Sequence, residues 1–252
     1  MSHHIVEVRD LFYAYPDGTA ALKGMSFRIE HGGAVALVGA NGAGKSTLLL
    51  HLNGYLTATR GEVRIGDVPL TRDTVDAARR AVGMVFQDPD DQLFMPTVAE
   101  DVAFGPLNAG LPPEQVEQRT VAALERVGMM HVRERPPYRL SAGEKRAVAM
   151  ATVLAMAPDI LVMDEPSSNL DPRARRMLIE LLAGFQHTKI IATHDLDLVL
   201  DLCDRTIVIR EGVIMADGPT TEIFQNEEML EQCHLEKPLR MQACPVCNVK
   251  QA

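Results

Sequence analysis

Val38-Gly39-Ala40-Asn41-Gly42-Ala43-Gly44-Lys45-Ser46-Thr47, entered from the apolar run Ala34-Val35-Ala36-Leu37, is the stretch whose reading decides the fold. The run reads as a buried strand, the glycines as a tight turn, and Lys45 as the beginning of a helix. Gly39, Gly42 and Gly44 carry no Cβ, so the loop can turn its backbone N–H groups inward onto bound oxygens. The helix start adds its unpaired amide donors and the positive end of its dipole. In such a loop Lys45 reaches the β- and γ-phosphates of a nucleoside triphosphate, and the Ser46 hydroxyl is placed to ligate Mg²⁺.

Working outward, residues 5–12 alternate imperfectly as an early strand, and residues 22–29 follow as a second before the His31-Gly32-Gly33 turn. Short strands are expected at residues 61–66 and 81–86, and buried ones at 160–163, 189–192 and 206–209. Between them, residues 97–156 are mostly helical, with starts signalled at Pro112-Pro113-Glu114 and at Ser141. The alternation predicts an α/β fold with a mixed, mainly parallel core sheet and an inserted helical subdomain at about residues 89–157. The ATPase-type domain is expected to end near residue 227, leaving 228–252 as a cysteine-containing tail.

The composition narrows the partners. A hydrophobic content of 46% supports a substantial core, and a net charge of −9 weighs against nucleic acid as the main partner, since that needs clustered Lys and Arg. The most apolar region, residues 147–163, is broken by Pro158-Asp159 and reads as a buried helix and strand rather than a membrane span. With no signal-like N-terminal run, cytoplasmic residence is expected, and any transport role needs separate membrane subunits.

Two further segments carry chemistry. Ile160-Leu161-Val162-Met163-Asp164-Glu165 delivers two carboxylates at the C-terminal end of a hydrophobic strand, the edge where ligands sit in such sheets. Asp164 suits Mg²⁺ and Glu165 the attacking water, although acidic residues also end strands for no functional reason. Leu140-Ser141-Ala142-Gly143-Glu144 sits at a helix start. It reads either as a capping box of the S-x-x-E type or as a second phosphate-facing surface, and the two are compatible.

Taken in order, residues 39–47 (GANGAGKST), Gln87 after Val85-Phe86, residues 140–144 (LSAGE), 160–165 (ILVMDE), 168–171 (SNLD) and 193–195 (THD) resemble the ATP-binding subunit of ABC (ATP-binding cassette) transporters, over about residues 5–225. The resemblance implies ATP and Mg²⁺ as ligands. It implies a cradle of Gly39, Asn41, Gly42, Gly44, Lys45, Ser46 and Thr47, and Tyr15 stacking on adenine, with Tyr13 as the competing candidate. It also implies that Glu165, His194, Gln87 and Lys45 are catalytic, and that Ser46, Gln87 and Asp164 serve the metal. Ser141 and Gly143 would face ATP held by a second ATPase subunit, taken as another copy of this chain, and Asp171 would organise that interface. Two ATP molecules would thus be sandwiched, and hydrolysis would open the sandwich. Ala142 and Glu144 depart from the usual glycine and glutamine of the family, and Glu144 places negative charge beside the helix start.

A narrower resemblance lies in residues 87–94 (QDPDDQLF) and 97–106 (TVAEDVAFGP). They look like the ATPases of energy-coupling-factor importers, particularly the cobalt/nickel branch; vitamin importers use similar ATPases. This implies integral membrane and substrate-binding subunits at the cytoplasmic face of the membrane, with Phe94, Met95 and Phe104 offering an apolar contact. Asp90 and Asp91 also read simply as solvated loop acids. In the tail, Cys244-Pro245-Val246-Cys247 can supply two thiolates to Zn²⁺ with Cys233 or His234 completing the site, can form a redox pair, or can be a plain flexible end. Ser2-His3-His4, after loss of Met1, offers nitrogens to Cu²⁺ or Ni²⁺, or is a frayed terminus. An ABC-type ATPase of DNA maintenance or translation is the alternative outside transport, but no long coiled-coil insertion or second cassette is present. A regulatory module that binds ATP without hydrolysis is the other, and intact Glu165 and His194 oppose it.

Overall fold

The computed structural model describes residues 6–242. Strands β1 (Val6–Ala14) and β2 (Ala20–Ile29) are joined by five residues, 15–19, which is too short for a parallel crossover, so they pair antiparallel. Strand β3 (Ala34–Val38) leads into the glycine-rich loop and helix α1 (Lys45–Leu52). Strands β4 (Arg60–Ile65) and β5 (Val68–Pro69) return to β1, giving a four-stranded antiparallel sheet in the order β2-β1-β4-β5. The early strands expected from the sequence therefore do not join the core sheet but form a sheet of their own.

After α2 (Val75–Ala81) and β6 (Val82–Val85), the chain enters the helical subdomain of α3 (Val98–Asn108), α4 (Pro113–Arg126) and α5 (Ala142–Leu154). It returns through β7 (Ile160–Asp164), α6 (Pro172–Ala183), β8 (Thr188–Ala192), α7 (Leu196–Leu202), β9 (Arg205–Arg210) and β10 (Val213–Pro219). The core sheet has the order β10-β9-β3-β8-β7-β6; all neighbours run parallel except β10 against β9, so it is mixed.

Every residue of β3, β7 and β8 is buried, as expected for parallel strands covered on both faces. Successive residues serve opposite layers. Val35, Leu37, Ile160 and Val162 pack with Leu48 and Leu52 of α1, whereas Ala36, Val38, Leu161 and Met163 pack with Val148 of α5 and Leu178 of α6. The register sets Leu37 and Asp164 both beside Ala192. The carboxyl ends of β3, β7 and β8 therefore finish at one edge, where the glycine-rich loop, the two carboxylates and the residues after β8 must meet.

Packing does not stop at residue 227. Helices α8 (Thr220–Gln225) and α9 (Glu227–Gln232) follow directly, and Leu230, Cys233 and Leu235 are buried in the same core as Phe224. Residues 228–235 are thus part of the folded unit rather than a separate tail, because their apolar side chains complete the α7–α8 layer. Among the described residues no helix is long and apolar enough to cross a membrane.

Candidate nucleotide site

A cleft of about 540 Å³ opens at the carboxyl edge, lined by Tyr15, the loop from Asn41 to Thr47, Gln87, Asp164, Glu165 and His194. Residues distant in sequence are thereby brought together as anticipated. The loop conformation depends on its glycines for two different reasons. A Cβ on Gly39 would stand 2.2 Å from the Ile209 carbonyl oxygen, a steric exclusion. Gly42 has open space around it but φ +80°, which side chains resist. Gly44, also left-handed, is the N-cap of α1, and no side chain caps that helix.

Lys45 is only 6% exposed, and its Nζ donates to the carbonyls of Gly39 at 2.7 Å and Ala40 at 3.2 Å. Burial lowers its pKa, with the charges of Glu165 and Asp164 opposing that shift. The ammonium is thus held by the carbonyls of its own loop, at the lining of the cleft.

Asp164 is 5% exposed, and burial raises its pKa against the opposing effect of a hydrogen bond from Ser46 and the nearby charges of Lys45 and Arg146. Its Oδ1 is buried with no hydrogen-bond partner. A buried, unpartnered carboxylate oxygen beside a serine hydroxyl is a donor set suited to Mg²⁺, a hard cation that takes oxygen ligands.

Glu165 sits one residue beyond β7 with φ +47°, a left-handed conformation that is strained for a non-glycine residue. Its N–H donates to the Ala192 carbonyl at 2.8 Å, anchoring it to the end of β8. Oε2 accepts from the Thr193 hydroxyl at 2.9 Å and from the His194 N–H at 3.4 Å, while His194 Nδ1 lies 2.9 Å from Oε1. The Thr193 hydroxyl is itself oriented by the Asp195 N–H at 3.0 Å. The Glu165 side chain is 8% exposed against 65% for that of His194, so a buried carboxylate is steered by an imidazole open to the cleft. Arg175 fixes Asp195 through two hydrogen bonds of 3.1 and 3.2 Å, bracing the residue after His194.

Tyr15 lines the cleft, with its hydroxyl 2.9 Å from Thr47 Oγ1. Tyr13 stands behind it, edge-on at 5.1 Å and packed in turn on His51 at 4.7 Å. Of the two tyrosines, only Tyr15 lines the cleft.

Ser141, Gly143 and Asp171 lie elsewhere, around a separate groove of about 540 Å³ between α4, α5 and α6. Ser141 caps α5: its Oγ accepts from the Glu144 N–H at 3.3 Å, and Glu144 Oε2 accepts from the Ser141 N–H at 2.8 Å and its hydroxyl at 2.7 Å. The capping box anticipated from the sequence is therefore complete. These bonds from the Ser141 amide and hydroxyl lower the Glu144 pKa. A Cβ on Gly143 would meet nothing closer than Ala174 Cβ at 3.7 Å, so this chain by itself does not require glycine there. Asp171 caps α6 through Arg173 and Ala174 N–H bonds of 2.8 and 2.9 Å.

Sequence reasoning missed Thr193 and Arg146, whose partners are set only by tertiary placement. It also offered Cys233 as a metal ligand. Cys233 is buried, with its Sγ 4.0 Å from Met229 Sδ, and the two cysteines with which it was grouped lie outside the described residues. Among the described residues no group of three or more His, Cys, Asp or Glu side chains is arranged to hold an ion. Cys244, Cys247 and Ser2-His3-His4 lie outside the described residues.

The sequence profile of the ABC transporter family matches residues 22–168, more than half of the chain. The chain belongs to this family. A protein of Geobacter sulfurreducens, provisionally described as an ABC transporter ATP-binding protein, is 69% identical over 248 residues, covering 98% of this chain and all of that one. The energy-coupling factor transporter ATP-binding protein EcfA of Methanocaldococcus jannaschii is 46% identical over 252 residues, covering 98% of this chain and 90% of its own. Among solved structures, cbiO1 of Clostridium perfringens, part of the ABC transporter complex cbiONQ, superimposes with a TM-score of 0.80. It is 40% identical, covering 91% of this chain and 94% of that one. This ABC chain is thus an ATP-binding and ATP-hydrolysing transporter subunit, with ATP and Mg²⁺ as its ligands.

Proposed function

We propose that this chain powers import as the peripheral ATPase of an energy-coupling-factor-type transporter, at the cytoplasmic face of the membrane, with cobalt or nickel ions as cargo. The observation that carries the ATPase half is the buried Glu165 carboxylate held by Thr193 and His194 at the edge of the phosphate cleft. The importer class rests on the similarity to EcfA and cbiO1, and the cargo on the resemblance in residues 87–106.

In this reading the loop amides and Lys45 hold the β- and γ-phosphates, while Tyr15 packs on the base. Ser46, Asp164 and Gln87 would hold Mg²⁺, which supplies charge neutralisation for the phosphates. Glu165 accepts a hydrogen bond from the attacking water and polarises it, and His194 contacts the γ-phosphate while keeping Glu165 in place. Ser141 and Gly143 face the nucleotide of a second ATPase subunit, taken as another copy of this chain, with Asp171 at the contact. Gly143 supports this, since its small size answers to nothing within its own chain. Membrane and substrate-binding subunits complete the assembly, and Phe94 and Phe104, exposed and edge-on at 4.9 Å, suit an apolar contact with them.

The test is cobalt and nickel uptake into vesicles by the reconstituted complex, with Glu165→Gln as the blocked control. Uptake that requires ATP and intact Glu165 supports the reading. ATP hydrolysis without uptake of either ion refutes the cargo, and uptake indifferent to Glu165→Gln refutes the ATPase role.

A further inference from the structure

Tyr15 stands just beyond the end of β1, and its backbone is spent inside the turn of residues 15–19. Its N–H donates to the Thr19 carbonyl and its own carbonyl accepts from the Gly18 N–H, both at 2.9 Å. The placing of its ring in the cleft therefore falls to the side chain. The hydroxyl is tied to Thr47 Oγ1, and the ring rests on Tyr13. Tyr13 lies between that ring and His51 of α1 and meets both edge-on, at interplanar angles of 83° and 73°. His51 is 1% exposed, and its Nδ1 lies 2.7 Å from the Thr47 carbonyl oxygen, one helical turn back. A carbonyl only accepts, so Nδ1 carries the proton and donates. The contacts close a circuit. It runs from the Thr47 side chain to Tyr15, Tyr13 and His51, and returns to the Thr47 main chain.

Packing alone does not call for histidine at this place. Burial lowers the His51 pKa, with the Thr47 and Thr57 backbone opposing that shift, and the ring is neutral. Nε2 is then a bare acceptor, enclosed with no hydrogen-bond partner, a cost to stability that leucine avoids. What histidine adds is a flat ring whose otherwise soft χ2 is fixed by the Nδ1–H bond. That ring is the wall Tyr13 leans on.

We propose that His51 is a positioning residue for the nucleobase: through Tyr13 it sets the Tyr15 ring against which the base packs. The circuit hangs the base-facing ring from α1, whose start faces the phosphate cleft, so both ends of the nucleotide are gauged from one element. This rests on the reading of Tyr15 as the residue that stacks on the base. His51 stands behind Tyr13 and acts only through the two tyrosines, so a ligand without a base draws nothing from it.

The experiment is equilibrium binding of ATP and of inorganic tripolyphosphate, each with Mg²⁺, to the full chain carrying His51→Leu, Tyr15→Ala, and both together. His51→Leu is expected to weaken ATP binding about fivefold, the scale of one aromatic contact, with tripolyphosphate affinity kept within about twofold. In the Tyr15→Ala background it should cost ATP nothing further, since the ring it places is gone. Tyr13→Leu breaks the circuit at its middle and leaves the sequence of α1 intact. It should reproduce the loss confined to ATP, and serves if His51→Leu folds poorly.

Equal losses for ATP and tripolyphosphate would show that the imidazole supports the phosphate loop, and would overturn the proposal. So would the same ATP loss from His51→Leu in both backgrounds. ATP affinity unchanged by both His51→Leu and Tyr13→Leu, with Tyr15→Ala impaired, would overturn it as well. ATP affinity indifferent to Tyr15→Ala would remove the reading of Tyr15 and the proposal with it, and that single variant tells this failure from the others.

Discussion

Helix α1 starts behind Gly44 with no side chain on its first amides, whereas α5 starts behind Ser141 with its first turn closed by Glu144. The first arrangement is costly for an isolated helix, because backbone donors near its start lack a side-chain acceptor. It is suited to a helix whose acceptor is the ligand, and the buried Lys45 at its first position adds a charge to the same spot. The second is self-sufficient: the cap stabilises α5 with or without nucleotide. What the contrast teaches is a division of labour. The α1 start on the core sheet has no side-chain acceptor of its own, while the α5 start is closed by its own residues, so the partner-facing role proposed for it leaves the cap intact.

The strongest way to break this comparison is at the sheet half. Glu165→Gln keeps the size of the side chain and a carbonyl for the Thr193 hydroxyl, but gives up the charge that polarises water. Phosphate release should fall by about 10³-fold with ATP binding retained. A loss below tenfold would mean that the chemistry does not centre on this carboxylate. Lys45→Met comes next. Removing the buried ammonium should weaken equilibrium ATP binding by about 30-fold, roughly 2 kcal/mol, the lower range for truncating a buried charged partner. Equal affinity in a titration would show that the loop amides alone hold the phosphates.

What the sequence made legible divides along the same line. The glycine-rich loop, the strand-end carboxylates and the Ser141–Glu144 box are contiguous in the chain, and their chemistry follows from spacing of a few residues. Thr193 was out of reach because its hydroxyl meets Glu165 only through the β7–β8 register, 28 residues away. The choice between Tyr13 and Tyr15 needed the turn geometry that sends one ring to His51 and the other to Thr47. The burial of Cys233 was out of reach because a polar neighbourhood in sequence hid an apolar one in space, among Leu230 and Leu235. The separate antiparallel sheet needed pairings between β1 and β4 that no local pattern specifies.

The smaller predictions sharpen the α5 side. Ser141→Ala removes the cap, at a cost of about 1 kcal/mol, and should lower Tm by roughly 2–4 °C in a chain of this size. If Ser141 also serves a partner's nucleotide, turnover should fall most at protein concentrations where two copies associate. A Tm loss with concentration-independent turnover would leave the cap as its sole role.

Glu144→Gln should have the smallest effect, and its two consequences should have opposite signs. Gln keeps a capping oxygen but not the charge that strengthens the bonds from the Ser141 amide and hydroxyl, so Tm should drop by about 1–2 °C, near 0.5 kcal/mol. The sign with pH follows from the lowered folded pKa of Glu144, caused first by the Ser141 amide bond and then by its hydroxyl. A depressed carboxylate pKa stabilises above the unfolded value and is lost as pH falls through the folded one. The Tm gap between wild type and Glu144→Gln should therefore be full at pH 7 and close below the usual carboxylate range. Turnover should move the other way. Neutralising a carboxylate beside a phosphate-facing helix start removes a repulsion of about 0.3–1 kcal/mol, so hydrolysis in the assembled complex should rise about twofold. A variant that is both less stable and no faster would show that Glu144 is spent entirely on the cap, and that the ligand's charge never comes near it.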